Sequence, residues 1–257
     1  MPVDGDSNAP RVDSTLSKGL AILESLTAAQ GSKGVTELSR ELGLTKSNTF
    51  RLLQTLAGLG YVRHEPNKTY CATLKAWQVG RSVVENMNLR TIAAPLLQYL
   101  AQETGETIYL AVRENLQVVY IDKIDSQKPI RSWNPVGGVA PLHCVGTGKA
   151  ILAVEYERLR GQIGTQLARF TDRTITTLDA LDQDVAATRL RGYAIDRGEF
   201  RHRIYSLGGA IVLTDGAAMG ALGVSVPDVN LGEGGIERIG PLVQHAARSV
   251  SEKLSQH

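Results

Sequence analysis

Apolar residues recur at steps of three and four as far as Leu100 and begin to alternate after Glu106, a change of period that separates a helical part of the chain from a mixed one. In the first part, Leu16, Leu20, Leu23 and Leu26 keep helical register and predict a helix over Ser14 to Ala29 that closes a small core. Val35, Leu38 and Leu42 predict a second helix. Gly43 then supplies a tight turn, Leu44 fills its corner, and Thr45 can cap a third helix reaching Gly58. Its expected inward face is Phe50, Leu53, Leu56 and Ala57. Tyr61 to His64 and Thr69 to Leu74 read as short strands joined by a Pro66-Asn67-Lys68 turn. Three helices and a hairpin make a winged helix-turn-helix domain, expected over residues 14–78, with residues 1–13 as a disordered tail.

A helical linker is expected over residues 79–104. Val79, Val83, Val84 and Met87 form one apolar stripe, and Leu89, Ile92, Leu96, Leu97 and Leu100 another, with Pro95 forcing a break or a fresh helix start and Gly105 ending the run. Such a connector suits a subunit contact and a lever; packing on its own domain fits the pattern equally well. Beyond it, Thr107 to Val112 and Leu116 to Ile124 predict strands around a Glu114-Asn115 turn, and Arg203 to Leu213 and Ala217 to Val226 predict a second pair around Asp215-Gly216. Helices alternate with them: Gly148 to Gln162, then Leu178 to Gly192 entered by the capping-box pattern Thr176-Thr-Leu-Asp179. A final amphipathic helix carries Leu242, Val243, Ala246, Ala247, Val250 and Leu254. Hairpin-linked strands with intervening helices predict an α+β domain with a mainly antiparallel sheet over residues 105–257.

The third helix carries the first candidate chemistry. Thr45, Lys46, Ser47, Asn48, Thr49 and Arg51 crowd its opening turn with hydrogen-bonding groups and no carboxylate. Phosphates and base edges ask for such donors: arginine can meet guanine with two bonds, asparagine can pair with adenine, and a helix N-terminus favours phosphate. Arg63 and Lys68 on the hairpin stand where a wing meets the DNA backbone. The hairpin that follows the third helix favours this reading over a solvated helical hairpin. Charge agrees in its distribution. The chain carries 28 basic and 26 acidic residues for a net +2, too close to neutral to announce a nucleic-acid partner. From Thr45 to Arg81, six basic residues face Glu65 alone, whereas from Leu89 onward 18 basic residues are balanced by 18 acidic ones.

With 257 residues and 42% hydrophobic content, the chain can bury two cores. Its two cysteines are too few for a disulfide framework and suit a reducing, cytoplasmic setting. Met1 to Val12 has no apolar core of a signal peptide, and no apolar run is long enough to span a membrane.

The whole pattern resembles the isocitrate-lyase-regulator (IclR) family of bacterial transcription factors, from about Ser14 to Leu254. The motifs that carry it are Val35-Thr-Glu-Leu38 with the helix after Thr45, Glu103-Thr-Gly-Glu-Thr107, Gly192-Tyr-Ala-Ile-Asp-Arg-Gly-Glu199 and the Gly220-to-Pro227 strand. Most specific of all is Pro141-Leu-His-Cys-Val-Gly-Thr-Gly-Lys-Ala-Ile-Leu-Ala153. The resemblance implies a GAF-like effector-binding domain behind the winged helix, assembly as a dimer or dimer of dimers, and an effector pocket at Gly146, Thr147, Asp196, Ile204, Ser206, Gly223 and Ser225. A small carboxylate there would take bonds from the Gly146 and Thr147 amides at a helix N-terminus. The sequence departs from the family where Arg203 stands in place of a usual glycine and Gly223 in place of a common serine. Tyr205 and the lost hydroxyl at position 223 favour a less polar or aromatic ligand.

Catalytic readings fail on the residues. Gly146-Thr-Gly-Lys149 looks like a phosphate loop, but a Walker A loop needs glycine at His143 and serine or threonine at Ala150. Asp196, His202 and Ser225 could be assembled into a triad, yet no Gly-x-Ser-x-Gly elbow surrounds a serine, and no His-Glu-x-x-His metal pattern occurs. No enzyme activity, cofactor or metal is expected. The expected function is a ligand-responsive regulator, repressor or activator, of a catabolic operon that binds a palindromic double-stranded DNA operator as a homo-oligomer and answers to a small organic or aromatic acid. The alternative is a ligand-binding scaffold whose winged helix contacts proteins.

Overall fold

The computed structural model describes residues 13–29, 31–85 and 88–255, with the backbone alone for 82–85. The chain divides into two compact units, residues 1–86 and 87–257.

In the first unit, α1 (Ser14–Ala28) is capped by Asp13, whose carboxylate accepts the Thr15 and Leu16 amides at 2.9 and 2.8 Å. Asp13, expected in the tail, is thus the cap of α1, and the rest of the expected tail lies outside the described residues. Ile22 and Leu26 of α1 enter the core, but Leu16 and Leu20 stay exposed on its other side. The chain passes through β1 (Lys33–Gly34) into α2 (Val35–Glu41), turns at Gly43 with φ +64, a left-handed conformation cheap only for glycine, and enters α3 (Lys46–Gly58). Strands β2 (Val62–His64) and β3 (Thr69–Ala72) form the expected hairpin. Lys33–Gly34 adds an unexpected third strand, giving the order β1-β3-β2, all antiparallel. Ile22, Leu26, Leu38, Leu52, Leu53, Val62 and Tyr70 make the core.

The inward face of α3 differs from the expected one at Phe50. Thr49, Leu52 and Leu53 are buried, while Phe50 is 51% exposed. Leu53 is buried and Leu56 and Ala57 pack against the core as expected, while Thr49 and Leu52 take the place assigned to Phe50; the Thr49 hydroxyl bonds to the Thr45 carbonyl at 3.1 Å, so its burial carries no polar penalty.

Helix α4 (Leu74–Glu85) starts where the second wing strand was expected to end, and α5 (Leu89–Thr104) follows. Val83, Val84 and Met87 of the first linker stripe fall outside the described side chains. Pro95 lies inside α5 without ending it, and the next helix start is at Asn88 instead. Gly105, in the left-handed region, closes α5 through its amide on the Ala101 carbonyl at 2.8 Å. Residues 79–104 are therefore divided: α4 falls in the first unit, and Leu89, Ala93, Leu97 and Leu100 of α5 are buried in the second.

The second unit is a six-stranded, wholly antiparallel sheet, so the α+β reading holds. Its strands are β4 (Thr107–Glu114), β5 (Gln117–Ile124), β6 (Val139–Pro141), β7 (Ala194–Arg197), β8 (Ile204–Val212) and β9 (Ala218–Pro227). Their order is β6-β5-β4-β9-β8-β7. The short edge strands β6 and β7 were not legible in the alternation. Helix α6 (Gly146–Leu159), preceded by a 3-10 turn at Leu142–Cys144, packs on β8 and β9. Helix α7 (Leu178–Arg191) takes its cap from Thr177, one residue later than the capping box placed it. A short helix α8 (Asp228–Leu231) leads into α9 (Gly235–Leu254), which packs with α5. Among the described residues no helix is long and apolar enough to cross a membrane.

Candidate functional site

In the first unit, Thr45 caps α3 by accepting the Asn48 amide at 3.3 Å. Thr45, Lys46, Ser47 and Arg51 are exposed and Asn48 is half-buried. Asn48 Oδ1 accepts a bond from Arg51 at 3.2 Å, which steadies the guanidinium on the helix surface. Thr49 does not belong with them: it has no exposed surface, so it can contact no nucleotide, and its role is to join α3 to the core. Arg63 and Lys68 are exposed on the β2–β3 hairpin, Lys68 at the turn with φ +63. Arg63 is paired with Glu65 at 2.7 Å; that pair holds the Glu65 carboxyl below its usual range, with the first contribution coming from Cys71, whose thiol bonds to Glu65 at 2.9 Å. Gln54 links α3 to the hairpin through the Tyr70 hydroxyl at 3.1 Å.

The second unit holds a cavity with about 410 Å3 of empty space, its open mouth included. It is a narrow cleft between the sheet and the start of α6. Thr147, Asp196, Ile204, Ser206, Gly223 and Ser225 line it, so six of the seven residues that the family resemblance implied are brought together. Gly146 is not on the lining. Its amide donates to Ser206 Oγ at 2.8 Å, so one of the two amides expected to receive a carboxylate is already occupied.

Ser206 Oγ in turn donates to Asp196 Oδ2 at 2.7 Å, and Asp196 Oδ1 accepts the Glu199 amide at 2.6 Å. Asp196 is 3% exposed; burial pushes its pKa up to about 7, against the pull of those two hydrogen bonds. Behind it, Lys149 is buried with its ammonium on Glu199 at 2.7 and 3.0 Å, on the Ile195 carbonyl at 2.7 Å and on Asp184 at 3.1 Å. Glu199 is also raised by burial, with Lys149 opposing. This ion pair lies outside the cavity lining and fixes the β7 turn that carries Asp196.

The sequence missed the walls. Tyr109 on β4 and Tyr120 on β5 face the cavity, their rings 4.7 Å apart, and burial raises both phenols. Inward alternation on these strands was visible, but nothing in it marks which inward residues meet a cavity. Phe200, Val145 and Val224 add apolar wall, and Ser132 and Asn134 come from a loop without periodicity. Arg201 is the cation on the lining. Its guanidinium reaches the Trp133 carbonyl at 3.2 Å and Asn134 Oδ1 at 2.9 Å, and the Asn134 amide donates to the Tyr109 hydroxyl at 2.9 Å.

Residues 15–66 match the IclR helix-turn-helix domain, and residues 81–252 match the domain described as the C-terminal domain of the bacterial transcriptional regulator IclR. The chain is 30% identical over 256 residues to the HTH-type transcriptional repressor AllR of Escherichia coli K12, covering 98% of this chain and 94% of that protein. Among solved structures it resembles the IclR of Thermotoga maritima, with 28% identity, a TM-score of 0.77, and coverage of 93% of this chain and 98% of that one. An IclR homolog of Microbacterium hydrocarbonoxydans, complexed with 4-hydroxybenzoate, shares the fold at 20% identity and a TM-score of 0.81, covering 94% and 99% of the two chains. The family and these homologues are transcriptional regulators, not enzymes. With a helix-turn-helix that presents donors at the start of α3, and an antiparallel domain that matches the family's second half, the chain belongs to the IclR family of bacterial transcriptional regulators.

Proposed function

We propose that this protein is a ligand-responsive DNA-binding regulator whose second unit takes a small organic or aromatic acid. The observation that carries the reading is the cavity itself: aromatic walls from Tyr109, Tyr120 and Phe200, a cation at Arg201, and hydroxyls of Thr147, Ser206 and Ser225 converge on one narrow cleft. The lining suits a planar acid in chemistry, and the walls must part to admit one, because the cleft as it stands has room for little more than water. The acid's carboxylate would meet Arg201, since Asp196 on the opposite chemistry repels an anion whenever it is ionised and the Gly146 amide is engaged. The 4-hydroxybenzoate of the Microbacterium homolog is a ligand of this class.

In this reading a homo-oligomer offers two copies of α3 to half-sites of a palindromic operator about 34 Å apart, or a multiple of that, and the hairpins carrying Arg63 and Lys68 brace on phosphates. The acid binds one arrangement of the oligomer more tightly than another and so shifts operator affinity, controlling a catabolic operon. The test has two arms. Retention of the full chain on heparin should fall steeply with salt, and retention that is absent or indifferent to salt would refute the DNA arm. A thermal-shift screen of small aliphatic and aromatic acids should find at least one that raises Tm in the wild type and not in Arg201→Ala. A screen without any such acid would remove the ligand arm.

A further inference from the structure

Phe50 stands half-exposed on α3, outside the core of its unit. It is 51% exposed in the middle of a helix whose neighbouring exposed positions are polar, and it takes no part in the core of Ile22, Leu38, Leu53 and Tyr70. Leaving an aromatic ring half in water forgoes the gain of burial that a core position would give it. On α3, Ser47, Phe50 and Gln54 follow one another at steps of three and four, so the ring lies on one stripe between two polar side chains, next to Arg51. No acidic side chain occurs between Thr45 and Gly60, so nothing on this stretch repels a phosphate backbone.

From this placement we infer that Phe50 is a specificity-determining residue that reads the 5-methyl group of a thymine in the major groove. The inference rests on the reading of α3 as the helix that enters DNA. An aromatic ring offers no hydrogen bond to a base edge, and the one apolar feature the major groove presents is the thymine methyl, which phenylalanine can cover. Contact would dehydrate both the methyl and the exposed part of the ring. The hydrogen-bonding neighbours Ser47 and Arg51 would set the helix on the duplex and leave Phe50 to discriminate without adding charge.

The test uses the full chain and separates the two claims. Duplexes retained by the wild type are selected from a random library, and each thymine of the selected sequence is replaced in turn by uracil, which removes the methyl and nothing else. Wild type should lose about fourfold in affinity for each critical methyl removed, at a thymine in each half-site. Phe50→Ala should bind the thymine and uracil duplexes alike, and with the same salt slope as the wild type, because no phosphate contact is lost. Equal binding of thymine and uracil duplexes by the wild type at every position would overturn the inference while leaving DNA binding intact. A uracil penalty that persists in Phe50→Ala would overturn it too, by assigning the methyl to another side chain. Failure to enrich any duplex would instead bring down the DNA-binding reading and the inference with it. Size-exclusion chromatography of Phe50→Ala should match the wild type; a change in oligomeric state would assign the ring to a subunit contact and overturn the inference.

Discussion

Replacing Asp196 with asparagine should abolish a loss of stability that the wild type undergoes as pH rises to about 7. The carboxyl is buried on β7, holds hydrogen bonds from the Glu199 amide and the Ser206 hydroxyl, and has a pKa pushed up from 3.8 to about 7. Between those two values the folded protein keeps a proton that the unfolded chain releases. This contribution to stability is therefore fully present at low pH and is lost as pH rises through 7. The slope reaches ~1.4 kcal/mol per pH unit inside the window, and the roughly three-unit shift makes the accumulated loss on the order of 4 kcal/mol once the carboxylate is ionised. Asparagine has the same shape and no charge. Its carbonyl can still accept the Glu199 amide, while its NH2 must donate to Ser206 Oγ, which loses the acceptor for its own proton; that exchange costs about 1 kcal/mol. Asp196→Asn should thus match wild type near pH 4.5, where the loss from the wild-type carboxyl reaches the ~1 kcal/mol cost of the exchange, and be more stable by roughly 2–4 kcal/mol at pH 8.5. Urea unfolding followed by Trp133 emission, in a Trp77→Phe background so that the second unit alone is read, gives the two profiles. Other groups titrate in both proteins and cancel in the difference. A difference that stays constant across the pH range would refute the buried, proton-holding carboxyl.

The ion pair behind the cavity should be costly to break from one side: Lys149→Met leaves Glu199 buried without its cation and should lower stability by about 3–5 kcal/mol, with part regained in Lys149→Met/Glu199→Gln. Thermal unfolding checks this, and a double variant no better than the single one would assign the loss to packing. Restoring the family's common serine at position 223 should destabilise by about 1–3 kcal/mol, because a Cβ there would stand 2.5 Å from Thr147 Cγ2. Thr147→Ala should rescue it, and a Gly223→Ser variant as stable as wild type would show that the cleft adapts. Arg203 holds φ +62, a conformation that favours glycine, and its ion pair with Asp228 at 2.9 Å is exposed. Arg203→Gly should raise Tm, and a lower Tm would mean that the ion pair outweighs the backbone strain.

The sequence by itself determined the order of elements and the division of labour. Helical spacing around Gly43, the donor-rich start of α3, and the alternation of β4, β5, β8 and β9 are local patterns, each written within a stretch shorter than about 20 residues. The residues that the family motifs implied, Thr147, Asp196, Ile204, Ser206, Gly223 and Ser225, line one cleft. Tertiary structure decided what local pattern cannot carry. On α3, Leu53, Leu56 and Ala57 face the core as their spacing implies, but packing buries Thr49, its hydroxyl satisfied on the Thr45 carbonyl, and leaves Phe50 half-exposed. Whether α5 is a free connector depends on α9, more than a hundred residues later, which packs against it. The short edge strands exist only as partners of longer ones. The anchoring of Arg201, the cation of the cleft, on Asn134 and the engagement of the Gly146 amide by Ser206 join segments about sixty residues apart, and the raised Asp196 carboxyl follows from its burial in the folded domain. Such meetings depend on chain topology and desolvation, and neither leaves a periodic mark on the sequence.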